Sequence, residues 1–499
     1  MAQRYLVVSD LHLSDIEDND DGWRYYKHSR FRYDKELSEL LASFEADGAA
    51  DDRRFLVLNG DIIDFDLVCA VPDDPPWHLT RRERKAGLRG TEAKSVWKLE
   101  LVLQQHPELV DAFARFVACG HTLVYVFGNH DPEMNFDAVR DAFERALRDS
   151  ARRQSVDFDA GHLQFESWFF YVPGQIYAEH GSQYDYYSSF RYVMHPFIDT
   201  ENPRRIALPM GNLSNRRLMS QMGFFNPHAT DYILNVFRYV HHWLKHYAFT
   251  RRGLVWAWAW GSIVVLARLL WTRREITLHP PDLTEKRAAL SARTKIPVDT
   301  LVALDNLKRM PITNRLYRMV REFWIDRAIL AGILTAGTIT LALLPIPLWI
   351  KLMVPLSCFP LLYLIYEWFA HGETVFSAER QAADNARRIG RLLPVPVITF
   401  GHSHHPECIP LVPGVQYINT GTWAPVTAKG SQTRLVVGLR NALFVVFEEG
   451  QVPTIRLETF VPDERKTAVK LGDCDLSSSL TSPPNSEDVG ANGANGAEG

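Results

Sequence analysis

Short runs of β-branched and aromatic residues recur along the chain, and each run stops at Asp, Asn or His. Each run predicts a buried β-strand, because such residues pack well on a pleated surface. Open α/β sheets place their ligands at the carboxyl ends of the strands, so we expect the polar ends to meet at one site. The five stretches are residues 4–12, 55–64, 122–131, 175–181 and 397–404.

The polar groups at these strand ends are carboxylates, an amide and imidazoles, with no thiolate among them. Asp10 lies two residues before His12, so both side chains would share one face of an extended chain and bind a cation from one side. The same spacing separates His402 from His404. Oxygen and imidazole ligands suit Mn, Fe, Zn or Mg, and this set is too large for one ion. We therefore expect two divalent ions about 3.5–4 Å apart, as in two-metal phosphoester hydrolysis, with ligands from Asp10, His12, Asp61, Asn129, His180, His402 and His404.

In their order these blocks resemble the signature of the calcineurin-like metallophosphoesterases: D-x-H, G-D-x-x-D, G-N-H-D/E, a single H and G-H-x-H. All the blocks are present, and the resemblance covers roughly residues 1–190 and 390–460. It implies an α/β fold in which a β-sandwich is flanked by helices, in four α/β/β/α layers. It also implies that one ion is held by Asp10, His12 and His404 and the other by Asn129, His180 and His402, with Asp61 bridging the two.

The resemblance assigns further roles beside the reacting ester. His130 would be the catalytic histidine, Asp131 would orient it, and Asp64 would support a metal ligand. The implied reaction is hydrolysis of a phosphoester or pyrophosphate bond by metal-activated hydroxide, with no covalent phospho-enzyme. Manganese is our first expectation for both ions, with iron, zinc and magnesium as alternatives.

Two apolar stretches interrupt the pattern of strands. Residues 254–271 are apolar apart from Arg268, and residues 328–370 carry only Lys351 and Glu367 as charges. Both stretches predict membrane segments, although the first also fits a buried core helix. Because predicted ligands lie on both sides of them, the chain must cross the membrane an even number of times between residues 190 and 390.

Two topologies satisfy that constraint. In the first, residues 328–370 form a hairpin bent near residues 345–347, and residues 254–271 lie in the interface. In the second, each stretch crosses once, and residues 272–327 lie on the far side. That linker is rich in Lys and Arg, and the N-terminus leaves no room for a cleavable signal peptide, so we favour the hairpin and a cytoplasmic catalytic domain. A shallow re-entrant insertion stays open, because each half of the hairpin has only about 17 residues.

We expect the chain to divide into five segments. Within the last folded segment, residues 434–460 alternate enough to predict antiparallel strands that close the second sheet. The segments are the first part of the catalytic core (1–190), a helical cap rich in aromatic residues and His (191–253), a membrane-associated helical insert with a basic linker (254–370), the second part of the core (371–461) and a disordered tail (462–499).

Charge narrows the choice of partners. The net charge of −4 indicates no general affinity for nucleic acid. A basic cluster that includes Arg81, Arg82 and Arg84 lies between the second and third blocks. It is either a solvated face or a surface that contacts a phosphate-bearing substrate or an anionic lipid. The sequence indicates no oligomeric state.

Together these features predict a membrane-associated dinuclear phosphohydrolase that acts on a phosphate-bearing small molecule or lipid. The motifs SDLHLS and GNHD most resemble those of the UDP-2,3-diacylglucosamine hydrolases, which favours a lipid-linked substrate. One alternative is an anchored phosphodiesterase or protein phosphatase with a soluble substrate. Another is a non-catalytic scaffold, which is disfavoured because such scaffolds typically lose metal ligands and this chain keeps the full set.

Overall fold

The structure is a computed structural model that describes residues 1–15, 33–219, 244, 254–323, 325–369, 378–424, 440–460 and 469–473. Most of the disordered tail predicted over 462–499 lies outside the described residues, but its described part, residues 469–473, forms a β-strand, so the prediction is wrong there. Residues 220–243 and 245–253 of the predicted cap also lie outside the described residues.

The described residues contain fourteen β-strands: β1 (Gln3–Val8), β2 (Arg53–Asn59), β3 (Thr122–Val126), β4 (Leu163–Glu166), β5 (Phe169–Val172), β6 (Ile176–Glu179), β7 (Phe197–Ile198), β8 (Arg205–Ile206), β9 (Val397–Phe400), β10 (Pro406–Val412), β11 (Val415–Thr420), β12 (Asn441–Phe447), β13 (Thr454–Thr459) and β14 (Val469–Asp473). Seven strands form one sheet in the order β14-β13-β12-β1-β2-β3-β4, and five form a second in the order β10-β11-β9-β6-β5. All the strands predicted to carry ligands are present, as β1, β2, β3, β6 and β9.

Parallel pairing brings the ligand-bearing strand ends together. In the first sheet β1, β2 and β3 are parallel neighbours, and in the second β6 and β9 are parallel neighbours. The expectation that residues 434–460 close the second sheet is wrong. The structure pairs β12 antiparallel with β1, and β13 with β12, because β2 occupies only one edge of β1 and leaves the other edge for β12.

The helices of the described residues are α1 (Asp34–Ala46), α2 (Glu83–Ala86), α3 (Glu92–Gln105), α4 (Pro107–Ala118), α5 (Asp137–Arg153), α6 (Met210–Ser214), α7 (Leu254–Leu278), α8 (Thr284–Thr294), α9 (Val298–Asp305), α10 (Leu316–Glu322), α11 (Ile325–Leu343), α12 (Leu348–Phe369) and α13 (Ala378–Leu392). A single π-helical turn, Asn215–Met219, continues α6.

Alternating side chains on each sheet produce a four-layer body. On one side of the first sheet, α1, α3, α4 and α5 bury aliphatic and aromatic side chains against β1, β2 and β3. Between the sheets, Val57 and Val124 meet Ile176 and Val397 in one apolar core. On the far side of the second sheet, α8, α9 and α13 complete the fourth layer. The predicted α/β/β/α architecture is therefore confirmed.

Two helices of the predicted basic linker belong to this folded body. Leu290 of α8 and Leu301 of α9 are buried in the same apolar cluster as Tyr417 of β11. Arg293 of α8 also forms an ion pair with Glu166 at the end of β4. This packing is incompatible with the topology in which residues 272–327 lie across a membrane from the catalytic core.

The long apolar stretch forms a hairpin of two exposed helices. Ile325–Leu343 and Leu348–Trp368 are each long and apolar enough to cross a membrane, and neither is buried against the protein. The chain bends between them at residues 344–347, as predicted. At the open end, Arg327 donates hydrogen bonds of 2.7 and 3.1 Å to the two carboxylate oxygens of Glu367. Both ends of the hairpin therefore lie together at one end of the helix pair.

The first apolar stretch packs differently. Val265 and Leu269 of α7 are fully buried in a cluster with Met210, whereas Trp260 and Ile263 are more than half exposed. One face of α7 thus belongs to the protein core, which excludes a helix surrounded by lipid and fits the predicted position at an interface.

Candidate metal centre

The predicted ligands lie in the loops directly after their strands, where the backbone turns sharply. β1 ends at Val8 and β9 ends at Phe400, so the paired ligands are not on extended chain as expected. Of the seven non-glycine residues with positive φ in the described residues, five are predicted ligands. Side chains rarely tolerate this conformation, and it persists where the surrounding structure fixes it, often at functional sites. The five residues, with φ between 50° and 65°, are Asp10, His12, Asp61, His402 and His404.

One group of ligand atoms joins the loop after β1 to the loop after β9. Nε2 of His404 lies 3.2 Å from Nε2 of His12 and 3.2 Å from Oδ1 of Asp10. Nδ1 of His12 lies 3.3 Å from Oδ2 of Asp64, which leaves Nε2 of His12 directed at the group. All three candidate ligands are buried or nearly so.

A second group lies around His180. Its Nε2 is 3.1 Å from Oδ2 of Asp61 and 3.2 Å from Oδ1 of Asn129. Its Nδ1 donates to the carbonyl of Asn59 at 3.1 Å, which fixes the tautomer that offers Nε2 to a metal. His402 completes this group with Asp61 and His180. Asp61 also clusters with His12, so its carboxylate stands between the two groups. The division matches the predicted one, and the metal-binding role of each residue stays a prediction.

The packing of these atoms fits divalent cations. Oδ1 of Asp10 is buried and lies 3.2 Å from Nε2 of His404, and the two imidazole nitrogens of His12 and His404, also 3.2 Å apart, need a proton or a cation between them. Glycine leaves the required room: a Cβ on Gly128 would lie 2.2 Å from Oδ1 of Asp61, and one on Gly401 would lie 2.5 Å from Oδ2 of Asp10. Buried carboxylate and imidazole groups without thiolates suit Mn, Fe, Zn or Mg.

Negative charge governs the protonation of the neighbouring histidines. Burial by itself lowers the pKa of His180, but the carboxylate of Asp61 outweighs it and raises that pKa to about 9. Burial also opposes protonation of His130, yet the carboxylates of Asp64 and Asp61 raise its pKa well above the ordinary range. The site therefore favours added positive charge, which divalent ions supply.

The carboxylates beside His130 are those of Asp64 and Asp66, and not that of Asp131 as expected. Nδ1 of His130 is 3.4 Å from Oδ1 of Asp64 and 3.1 Å from Oδ2 of Asp66. Its backbone N–H donates to Oδ1 of Asp61 at 2.7 Å, which ties the histidine to the centre of the site. The carboxylate of Asp64, which was expected to support a metal ligand, thus lies beside the rings of both His12 and His130.

The predicted role of Asp131 does not match the geometry. Its carboxylate accepts hydrogen bonds from the backbone of Gly128 at 2.5 Å, the backbone of Ile62 at 2.9 Å and the hydroxyl of Tyr125 at 2.9 Å. These contacts direct the carboxylate of Asp131 into the turn and away from the imidazole of His130. Burial, aided by the charge of Asp61, raises the pKa of Asp131 to about 7. Asp131 shapes the loop, and Asp64 and Asp66 flank His130.

A buried network from α6 and the π-helical turn supports the site, and sequence reasoning missed it. The side-chain amide of Asn212 donates to Oδ2 of Asp66 at 2.6 Å and to the carbonyl of Asn129 at 2.7 Å. Arg216 forms ion pairs with Asp66 and with Glu133. The proximity of Asp66 to the GDxxD block was a usable signal. No signal marked Arg216, because its partners are distant along the chain.

One carboxylate lies beside a predicted ligand, and the predicted basic contacts lie at the surface. Asp185, which sequence reasoning missed, has Oδ2 at 3.3 Å from Nε2 of His402. The candidates Arg81, Arg82 and Arg84 are exposed, and their side chains form no ion pair with any residue that the structure describes. Their role as substrate contacts stays a prediction.

The model of the family described as calcineurin-like phosphoesterase matches residues 3–252, half of the chain. The chain belongs to this family. The matched residues include Asp10, Asp61, Asn129 and His180, whereas His402 and the other ligand after β9 lie beyond them. No curated protein matches the chain. Membership and the clustered Asp and His side chains together make this calcineurin-like phosphoesterase a hydrolase with a site for divalent metal.

Replacing Gly128 by Ala tests the packing at the centre. The new Cβ would overlap Asp61, so the carboxylate must move, and we expect the variant to lose at least one bound ion per chain. Metal content is measured by plasma mass spectrometry, and circular dichroism checks the fold. Gly390→Ala in α13 is the control, since its nearest contact would be an ordinary 3.4 Å. Unchanged metal content in Gly128→Ala would contradict the placement of Asp61.

Proposed function

We propose that this phosphoesterase is a membrane-associated, dinuclear enzyme that hydrolyses a phosphoester or pyrophosphate bond of a lipid-linked substrate. The observation that carries the proposal is the exposed apolar hairpin of α11 and α12, attached to the same folded body as the clustered ligands. The SDLHLS and GNHD motifs, which resemble those of UDP-2,3-diacylglucosamine hydrolases, favour a lipid-linked substrate over a soluble one.

The ligand geometry supports two metal sites that share one carboxylate. Divalent ions, manganese first among them, would supply a lowered pKa for water and positive charge for the phosphoryl oxygens. Asp61 holds its position through the backbone N–H of His130, so any shift of this carboxylate also displaces the histidine. The residues that would hold the ions are Asp10, His12 and His404 for one, Asn129, His180 and His402 for the other, and Asp61 for both.

In this proposal His130 acts on the leaving group. The carboxylates of Asp64 and Asp66 lie beside its Nδ1 and favour the protonated ring. A protonated imidazole can stabilise the charge on a phosphoryl oxygen and donate a proton to the leaving oxygen. Arg216 holds Asp66 in place, so the cap contributes to the orientation of the histidine.

The hairpin supports attachment to a membrane with all of the folded body on one side. Its helices expose large apolar side chains such as Leu343 and Trp368, which soluble proteins normally bury. The pair of Arg327 and Glu367 closes its base, so the chain enters and leaves the apolar region at one level. The basic residues of the linker favour the cytoplasmic side for that body.

Activity of the metal-stripped protein in detergent tests the chemistry. Mn, Mg, Zn and Fe are added back separately, with a soluble phosphodiester, a soluble monoester and a UDP-linked diacyl-sugar as substrates. We expect metal-dependent turnover of the lipid-linked compound, abolished in Asp61→Ala and reduced about 10²–10⁴-fold in His130→Ala. His162→Ala, at a half-buried histidine just before β4 and outside the ligand groups, serves as the control. Full activity of Asp61→Ala would contradict the bridging role, and turnover of the soluble esters alone would contradict the lipid-linked substrate.

Replacing residues 325–369 with a short Gly/Ser linker tests the attachment. The clamp between Arg327 and Glu367 shows that the two ends are close, so a short linker can join them. We expect the unmodified chain in salt-washed membranes and the replaced chain in the soluble fraction, with the metal content of both equal. Retention of the replaced chain in the membrane fraction would contradict the anchoring role of the hairpin.

A further inference from the structure

A groove of about 560 Å³ lies beside the last turns of α7, and none of the predicted metal ligands lines it. Three arginines line it together with two leucines, and no described carboxylate contributes to its lining. The groove therefore combines concentrated positive charge with apolar surface. These residues are Arg191, Arg273, Arg274, Leu270 and Leu278.

Helical spacing explains why most of these side chains share one face. Leu270, Arg273, Arg274, Thr277 and Leu278 follow the positions i, i+3, i+4, i+7 and i+8 of α7. This face is turned away from the core that buries the other side of the helix. Leu278 is 59% exposed, so the groove opens to the surroundings of the protein.

The guanidinium groups in the groove have no acidic partner in the part of the chain that the structure describes. Arg191 donates to the hydroxyl of Thr277 at 3.2 Å, and its guanidinium lies 5.7 Å from the centre of the Tyr192 ring. Glu275, the acid of the same helical turn, instead accepts a hydrogen bond from Thr200 at 2.9 Å. Arginines without counter-ions suit bidentate binding of a phosphate group.

Acids in the neighbouring elements are also engaged. Asp305 of α9 pairs with Lys308 at 2.7 Å and lies 3.3 Å from Arg287. Lys308 in turn donates to the carbonyl of Arg191 at 2.8 Å, and because Asp305 offsets its charge, the charge of the three groove arginines is not compensated by these acids. The local field therefore favours an anion.

The exposed face of α7 continues from the groove as an apolar stripe. Trp260 and Ile263 are 59% and 55% exposed, and with Leu270 and Leu278 they fall on one side of the helix. A helix with this surface lies in the plane of a membrane interface, with arginines reaching the headgroups. The stripe thus points to a lipid as the source of the phosphate.

The groove is also close to the hairpin along the chain. Asn314 lines it and immediately precedes α10, which leads into α11 at Ile325. Only the short helix Leu316–Glu322 separates the groove from the start of the apolar hairpin.

We propose that Arg191, Arg273 and Arg274 bind the phosphate of an anionic phospholipid headgroup, with Leu270 and Leu278 against its glycerol and acyl region. This inference rests on the membrane association proposed above. In this proposal the groove binds a lipid of the surrounding membrane, whereas the metal centre binds the substrate. Bound lipid would hold α7 at the interface and fix the orientation of the catalytic body relative to the membrane.

Native mass spectrometry of the full chain in neutral detergent tests this assignment. The probes are phosphatidylglycerol, phosphatidylcholine and soluble glycerol phosphate. We expect phosphatidylglycerol to bind most tightly, and the R191Q/R273Q/R274Q variant to weaken it on the order of 100-fold. R145Q/R148Q/R152Q on α5 removes the same charge elsewhere and should leave lipid affinity unchanged.

The single variant R273Q, expected to weaken binding roughly 5-fold, covers the case in which the triple variant fails to fold. Unchanged phosphatidylglycerol affinity in folded variants would overturn the site. Glycerol phosphate binding as tightly as the lipid, or phosphatidylcholine binding as tightly as phosphatidylglycerol, would overturn the lipid assignment. Fractionation of the unmodified chain reports separately on membrane association, because the hairpin is intact in every variant.

Discussion

The arrangement of the site depends on the buried carboxylate of Asp61, which lies between two groups of imidazole and oxygen atoms. Asp61 follows a strand of the first sheet, whereas His180 and His404 follow strands of the second. Ligand atoms from both sheets lie within 4.8 Å of one another in each group, so the sandwich must close before either group exists. Without cations such a cluster of buried charge would be unfavourable, which couples metal binding to the packing of the two sheets.

Much of this arrangement could be predicted because short segments of sequence specify it. Each ligand follows a run of strand-forming residues, and Gly128 and Gly401 mark where a Cβ would strike a carboxylate. Which carboxylate faces His130 could not be predicted. Asp131 is adjacent to it in sequence but is turned into the loop after β3, whereas Asp66, from the loop after β2, reaches the ring only through the fold. The pairing of β12 with β1 likewise depends on which sheet edge is free, which no local pattern specifies.

The apolar stretches differ in the same way between what composition predicts and what packing decides. Hydropathy identified both apolar stretches, but it could not separate α7, half buried on the protein, from the exposed pair α11 and α12. The requirement that all ligands share one site excluded an odd number of crossings. The packing of α8 and α9 on the second sheet then excluded the topology in which residues 272–327 lie across the membrane from the catalytic core. The chain thus combines a calcineurin-like phosphoesterase body with an exposed apolar hairpin and a half-buried helix, α7, inserted between its two halves.

Anomalous diffraction from crystals grown with Mn tests the central claim most directly, because it locates the ions without relying on activity. The account predicts two peaks about 3.5–4 Å apart, with the carboxylate of Asp61 touching both. One peak beside His12 and His404 and the other beside His180 and His402 would match the two groups of ligand atoms. A single peak, or two peaks that do not share Asp61, would contradict the dinuclear centre.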